Sequence, residues 1–334
     1  MTVLELPGDI TNALSHFTLY GLAAIWEAES GQRTRLWWSR ARTPQPHLDI
    51  GEAQFADVAE AVNHHACRHS ADDDWVQHSL THEDRVTGTL SPRIKTPSSP
   101  ASWNQLQASR HTAIDRIASS STDDLRMIGA LGEPAYWRFE QNTPRPDDGA
   151  SRWEMKTRNR GEEFLGNRLA PLAHAVALRT RDQILSGLLG ETLVDEIGGD
   201  KAESRTATGL TRPGPVDNAV AWCALWGLSQ FPTIHQVRRQ SVTPGAHVPT
   251  RRTHPTSMYL PVPTVPLASA RLRTLLVSKQ IAVATTPTDP GHPAARMWLC
   301  NRGVPAITVF PVSVSDNPSA PERQVLAGSL TPLA

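Results

Sequence analysis

Residues 6–26 read LPGDITNALSHFTLYGLAAIW, and the reading of the whole chain turns on them. Pro7-Gly8 is turn chemistry. Asp9 or Thr11 stands where a side-chain oxygen accepts from the first free amides of a helix, and Leu14, Phe17, Leu22, Ile25 and Trp26 recur at helical spacing. A stretch this apolar belongs in a core, so a buried helix is expected close to the N-terminus. Gly21 in its middle costs about 1 kcal/mol relative to alanine. Its presence points to the close approach of another backbone segment, or to a tolerated defect. RTRLWWSR (33–40) then reads as a short strand with Leu36 to Trp38 partly buried.

Working outward, AQFADVAEAVNHHACR (53–68) places Phe55, Val58, Ala59 and Val62 on one face of a second amphipathic helix. VTGTLSPRIKTPSSPASW (86–104) passes from a β-like run into a Pro/Ser-rich arm that carries Arg93 and Lys95. A helix is expected over 104–118, a strand or turn at RMIGALG (126–132) and irregular chain over 142–151. Residues 162–199 read as two helices with a kink or joint near Pro171, and 217–232 as a compact helix capped by Asp217 and stopped at Pro232. The remainder is Pro-rich, and SMYLPVPTVPL, QIAVATTP, ARMWLC and AITVFPVSV suggest edge strands and loops. The class expected is α+β. A mixed α/β part with its buried N-terminal helix spans 1–212, and a helix with basic Pro-rich loops and short strands spans 213–334.

The 334 residues carry 33 basic and 33 acidic side chains, so no net field draws the chain to nucleic acid or lipid. Three widely spaced cysteines, Cys67, Cys223 and Cys300, argue against a disulfide framework and fit a reducing cytoplasm. No apolar run reaches the roughly 18 residues of a membrane span, and the start lacks signal-peptide features, so a cytoplasmic location is expected. Phosphate-binding and dinucleotide glycine motifs, the nucleophile elbow and His-Glu-x-x-His are all absent, so no catalytic residue and no cofactor is expected.

Two regions could carry chemistry. NHHACRHSADDDWVQHSLTHED gathers His64, His65, Cys67, His69, His78 and His82 beside Asp72, Asp73 and Asp74, the ligand types of a zinc or divalent-metal site. His64 and His65, adjacent on a helix, point about 100° apart, so only a subset could converge; solvated histidines at a helix end are the plainer reading. The second region is Asn218–Thr288, where 71 consecutive residues contain no Asp or Glu but hold Arg238, Arg239, Arg251, Arg252, Arg271, Arg273 and Lys279. Paired arginines in a Pro/Gly-rich loop suit phosphate, because the guanidinium fork engages two oxygens at once. The same stretch would equally serve as an interface facing acids, and residues 1–90 carry 13 acids against 6 basic residues. RWEMKTRNRGEEF (152–164) adds Lys156, Arg158 and Arg160 beside Arg152. The ten tryptophans could stack on bases, although Trp26, Trp222 and Trp226 sit in helical patterns that mark core positions.

The opening LPGDITNALSHFTLYGLAAIWEAESGQRTRLWW resembles the start of large-subunit-type proteins from type I CRISPR surveillance complexes. GEEFLGNRLAPLAHAVALR and AVAWCALWGLSQF resemble segments of the subtype I-U (I-G) proteins. The likeness covers about a third of the chain. It implies a non-catalytic subunit that contacts guide RNA and target DNA and packs against other protein subunits of the complex. The implied contacts are Arg93, Lys95, Lys156, Arg158, Arg160, Arg238, Arg239, Arg251, Arg252, Arg271, Arg273 and Lys279, acting by phosphate neutralisation. The alternatives are a metal-dependent hydrolase built on the His64–His82 cluster and a protein-binding scaffold without nucleic acid.

Overall fold

The opening stretch is the hub of the molecule. The computed structural model describes residues 2–154, 164–202, 204, 208–249, 254–314 and 323–334. In it β1 (Val3–Glu5) leads through the Pro7-Gly8 turn into α1 (Ala13–Ser30). The cap is neither of the two expected residues. Asn12 Oδ1 accepts from Leu14 N at 3.1 Å, while Asp9 closes the preceding turn by accepting from Thr11 N at 2.7 Å. Phe17, Leu19, Tyr20, Leu22, Ala23 and Ile25 are buried all round the helix, so it must be surrounded by other elements.

One side is covered by a sheet. β2 (Arg35–Trp38) and β3 (Pro46–Asp49) form an antiparallel pair, with β1 on the outer edge of β3. Register sets Leu4 opposite Leu48 and Leu48 opposite Leu36, which gives one apolar row across the strands. α2 (Phe55–Ser70) packs next to α1 and is followed by the hairpin β4 (Ser79–His82) and β5 (Arg85–Gly88). α3 (Pro100–Ala118) begins at a Ser99 cap, and α4 (Thr122–Leu131) occupies the stretch where a strand or turn was expected. The capping oxygen of Ser121, which accepts from Asp124 N at 3.1 Å, and Asp123 and Asp124 in the first turn start a helix there. A short hairpin, β6 (Phe139–Glu140) and β7 (Thr143–Pro144), follows.

The expected helical pair resolves into a π turn at Leu165–Leu169 running into α5 (Ala170–Ala177), then α6 (Arg181–Leu188) with a Thr180–Gln183 capping box. α7 (Asn218–Trp226) starts at Asp217, whose Oδ1 accepts from Ala219 N at 2.8 Å, and a 3₁₀ turn over Gly227–Gln230 extends it. α7 lies against the side of α1 that carries Gly21. A Cβ on Gly21 would collide with the Cys223 carbonyl oxygen, and one on Gly227 with the Phe17 carbonyl oxygen. The glycine in the opening stretch is therefore a close approach and not a defect, and the contact is reciprocal.

The C-terminal part supplies β8 (Ala246–His247), β9 (Ser257–Val262), β10 (Leu267–Ala268), α8 (Ser269–Val277), α9 (Gln280–Ala284), α10 (His292–Cys300), β11 (Ala306–Val314), β12 (Arg323–Val325) and β13 (Ser329–Pro332). β8, β9 and β11 form a second antiparallel sheet, and β13 and β12 share the far edge of β11. QIAVATTP and ARMWLC, expected as strands or loops, are instead helical at α9 and α10. The acid-free stretch around Arg271 is α8.

The class is α+β, as expected. Packing crosses the division expected near residue 212. β10 pairs with β2, which extends the leucine row to Leu267, α7 packs on α1, and one hydrophobic cluster runs from Leu4 to Leu333. Both proposed parts share that core. Among the described residues no helix is long and apolar enough to cross a membrane.

Candidate nucleic-acid interface

The exposed arginines of the acid-free segment stand on a loop that is firmly tied at its base. Ile234 and Val242 bridge antiparallel, each amide donating to the other's carbonyl at 2.9 Å. Thr233 N and Oγ1 donate to the Gly129 and Ala130 carbonyls of α4 at 3.0 and 2.7 Å. Ser241 N and Oγ donate to the Asp148 and Ala150 carbonyls at 2.7 and 2.9 Å. Between these anchors Val237 is 73 % exposed, and Arg238 and Arg239 project into solvent beside it.

The base of this loop continues into a strip of aromatic rings. Trp137 Nε1 donates to the Gln236 carbonyl at 3.5 Å and meets the His235 ring edge-on at 5.9 Å between centroids. Tyr136 lies 5.0 Å from Trp137 and 6.1 Å from Trp103 of α3. Phe139, 53 % exposed, follows on β6. Tyr136 is exposed, and Trp103 and Trp137 are half-buried. The other arginines nearby are already engaged: Arg138 with Asp148 at 3.4 Å, and Arg145 with Glu140 at 3.3 Å. Among the described residues, Arg238 and Arg239 thus supply positive charge without a partner beside the strip. Rings with open faces next to mobile guanidinium groups can stack bases and hold the phosphates between them.

Other predicted contacts lie elsewhere. Arg93 is corrected outright. It is 1 % exposed, ion-paired with Glu154 and 3.0 Å from Asp147, and so cannot reach a strand on the surface. Burial pulls its guanidinium down, but Glu154 and Asp147 outweigh that and raise its pKa. Lys95, two residues on, is exposed. Arg271 on α8 and Lys279 just after it are exposed, and α8 packs on α1, the α7 extension and β9. Arg273 is half-buried and donates to Gln230 Oε1 at 3.3 Å. Lys156, Arg158, Arg160, Arg251 and Arg252 lie outside the described residues.

The histidine cluster is neither a metal centre nor a solvated helix end. His65 and His69 are buried against Trp222 and Trp226, with His69 stacked on Trp226 at 4.7 Å. His69 Nδ1 lies 2.9 Å from Asp74 and its Nε2 3.5 Å from Asp124, which ties α2 to the start of α4. His64 and Cys67 face solvent on the opposite side of α2. Among the described residues no group of three or more His, Cys, Asp or Glu side chains is placed to hold a metal. Burial, followed by His69 and Arg68, holds the His65 ring well below its ordinary pKa and therefore neutral.

Trp103, Tyr136, Trp137, Phe139 and His235 were not singled out from the sequence. The signal was there in AYWRFE (135–140), where three aromatic residues flank an arginine outside any apolar period. Trp26, Trp222 and Trp226 are core, as expected. Compared with known proteins, the chain matches no family model, no curated protein and no solved structure.

Proposed function

We propose that this chain is a non-catalytic nucleic-acid-binding subunit that holds a single strand against the Trp103–Tyr136–Trp137–His235 strip, with Arg238 and Arg239 on its phosphates. The observation that carries the reading is the contiguity of exposed and half-buried aromatic rings with two guanidinium groups that have no partner among the described residues, on an anchored loop. Stacking accepts any base, so the surface suits a strand whose sequence is read elsewhere, by pairing. In its narrower form, which rests on the sequence resemblance, the subunit belongs to a type I CRISPR surveillance complex of the I-U (I-G) kind. Its ligands are then guide RNA and target DNA, its partners the other protein subunits, and its compartment the cytoplasm.

The test is binding of short single-stranded RNA and DNA across a salt series. Trp137→Ala is expected to lower affinity about 5- to 150-fold, the span of one base stack. Arg238→Ala with Arg239→Ala is expected to weaken binding and flatten the salt slope by about 1.4, two single-strand phosphates' worth. Unchanged affinity and slope in both variants would remove this surface from the proposal. Purification from the native cell tests the narrower form: a short RNA of uniform length with repeated protein subunits supports it, and a clean monomer without RNA overturns it.

A further inference from the structure

Two exposed loops carry apolar side chains ringed by opposite charge. Residues 191–200 contain Glu191, Asp195, Glu196 and Asp200 and no lysine or arginine. Arg179 is shared between Glu196 and Asp217 at 2.6 and 2.8 Å, while Glu191 and Asp200 stand exposed with no cationic partner among the described residues. Leu193, Val194 and Ile197 are exposed between these acids, and Leu178, 88 % exposed, precedes the Arg179 that donates to the Val194 carbonyl. The loop at 234–242 is the counterpart. Ile234, Val237 and Val242 are exposed there beside Arg238 and Arg239, in the stretch that has no acid. Exposed apolar groups rimmed by charge mark a contact surface, and the two rims have opposite signs.

Position decides the partner. Val194 N donates to Asp217 Oδ2 at 3.1 Å, Ile197 N to Asn218 Oδ1 at 3.2 Å and Asn218 N to the Val194 carbonyl at 3.0 Å, so the acidic loop is tied to the start of α7. The basic loop leaves the other end of that helix, after Phe231 closes the 3₁₀ turn, and its base is fixed to α4. Nine α-helical and four 3₁₀ residues lie between, about 21 Å of helix. The two loops are thereby held apart within one copy, and every copy offers one of each. We infer that the acidic loop of one copy receives the Val237–Arg239 tip of a second copy, with Val237 entering among Leu193, Val194 and Ile197 and the arginines on Glu191 and Asp200. The contact is head-to-tail. Each added copy leaves its own acidic loop open, so copies continue in a row, or close into a ring where the rotation between them allows it. The inference does not rest on strand binding; a strand and a neighbouring copy use the same two arginines, so one excludes the other.

Sedimentation of the full chain, free of nucleic acid, over a concentration series at low and high salt tests it. Wild type is expected to grow past two copies with concentration and to come apart in salt. Leu193→Lys sets a cation against the incoming arginines, and Arg238→Ala with Arg239→Ala removes them. All three positions are exposed, so both proteins stay folded, and each alone is expected to associate at least about ten-fold more weakly. Mixed in equal amounts they are expected to form a dimer and nothing larger, because the Leu193→Lys copy keeps its basic loop and the double variant keeps its acidic loop. Wild type that stays monomeric at the highest concentration, or that stops at two copies, overturns the inference. So does a mixture no heavier than its separate components. A chain that remains monomeric alone and binds only a different, basic protein through residues 191–200 gives the acidic loop to that partner and also overturns it.

Discussion

Glu154→Gln is the substitution that most directly tests how the interior is held together. Glu154 is 1 % exposed and is the buried carboxylate on which Arg93, Arg168 and Arg323 converge. Arg93 is ion-paired to it, and Arg323 donates to the Glu154 and Arg152 carbonyls at 3.0 and 3.3 Å. Among the described residues, Arg168 has no hydrogen-bond partner for either terminal nitrogen. Its guanidinium sits 5.4 Å from the Phe164 ring centre, and burial pushes its pKa down to about 10 against the opposing pull of Glu154. The glutamine keeps the shape and removes the charge, leaving these guanidiniums to Asp147 and Asp148. Breaking a buried pair by neutralising one partner costs about 3–5 kcal/mol. At about 2.1 cal/mol/K of unfolding entropy per residue, a chain of this length loses ~4–7 °C of Tm. Thermal melting at pH 7 measures it, with Glu60→Gln as control, since Glu60 makes only an exposed 3.8 Å pair with His64 and should shift Tm by under ~1 °C. Arg93→Met with Glu154→Leu, which removes both charges together, should recover most of the loss. A Glu154→Gln melt within about 1 °C of wild type would refute the reasoning.

Gly21→Ala should destabilise by about 1–3 kcal/mol or more, because its methyl meets the Cys223 carbonyl and α1 and α7 have to part. Gly129→Ala, in a helix with open space around it, should stabilise by up to about 1 kcal/mol in the same urea titration. Stability should also fall in acid. Burial pushes the His16 imidazole down to about 4 despite its bond to the Ile10 carbonyl, whereas the unfolded ring titrates near 6.5. The folded state therefore refuses a proton that the unfolded state accepts. The stability is intact above pH ~6.5 and is lost, by about 1.4 kcal/mol per pH unit for each such histidine, as pH falls from there toward 4. His65, lowered in the same direction, adds a second proton to the slope, and His65→Gln should remove its share between pH 6 and 5.

How much of this was legible depended on how far each signal reached along the chain. The opening helix, the Asp217 cap and the kinked pair after residue 162 follow from spacing within a dozen residues, and they stand in the structure. α9 and α10 did not follow, because QIAVATTP and ARMWLC are short and rich in branched or bulky apolar residues that suit strands in isolation. The aromatic strip was legible only at AYWRFE, and the rest of it was hidden for a different reason. Trp103 and His235 are 132 positions apart, and their proximity depends on the anchoring of the 234–242 loop to α4 and to the Asp148–Ala150 segment. The histidines misled through type alone, since metal-ligating residues and aromatic core residues are the same residues until their neighbours are known.

The arginines carry the same lesson into function. A chain with 27 prolines has long stretches without ladder partners, and its carbonyls still require donors when they are buried. Here guanidinium groups supply them. Arg110 donates to the Thr89 and Ser91 carbonyls at 2.9 and 3.2 Å, Arg152 to Asp147 and Ala150 at 2.6 and 2.7 Å, Arg179 to Val194 at 2.6 Å and Arg323 to Arg152 and Glu154. Each ties an irregular segment to something fixed, which is work a lysine could not do with one point of attachment. These arginines are internal cross-links, and counting them as surface charge overstates the field a nucleic acid meets. If the strip at Trp137 holds a strand as proposed, it does so more by stacking than by charge. Its binding should accordingly show a shallow salt dependence in which removing Trp137 costs more than removing either Arg238 or Arg239 alone.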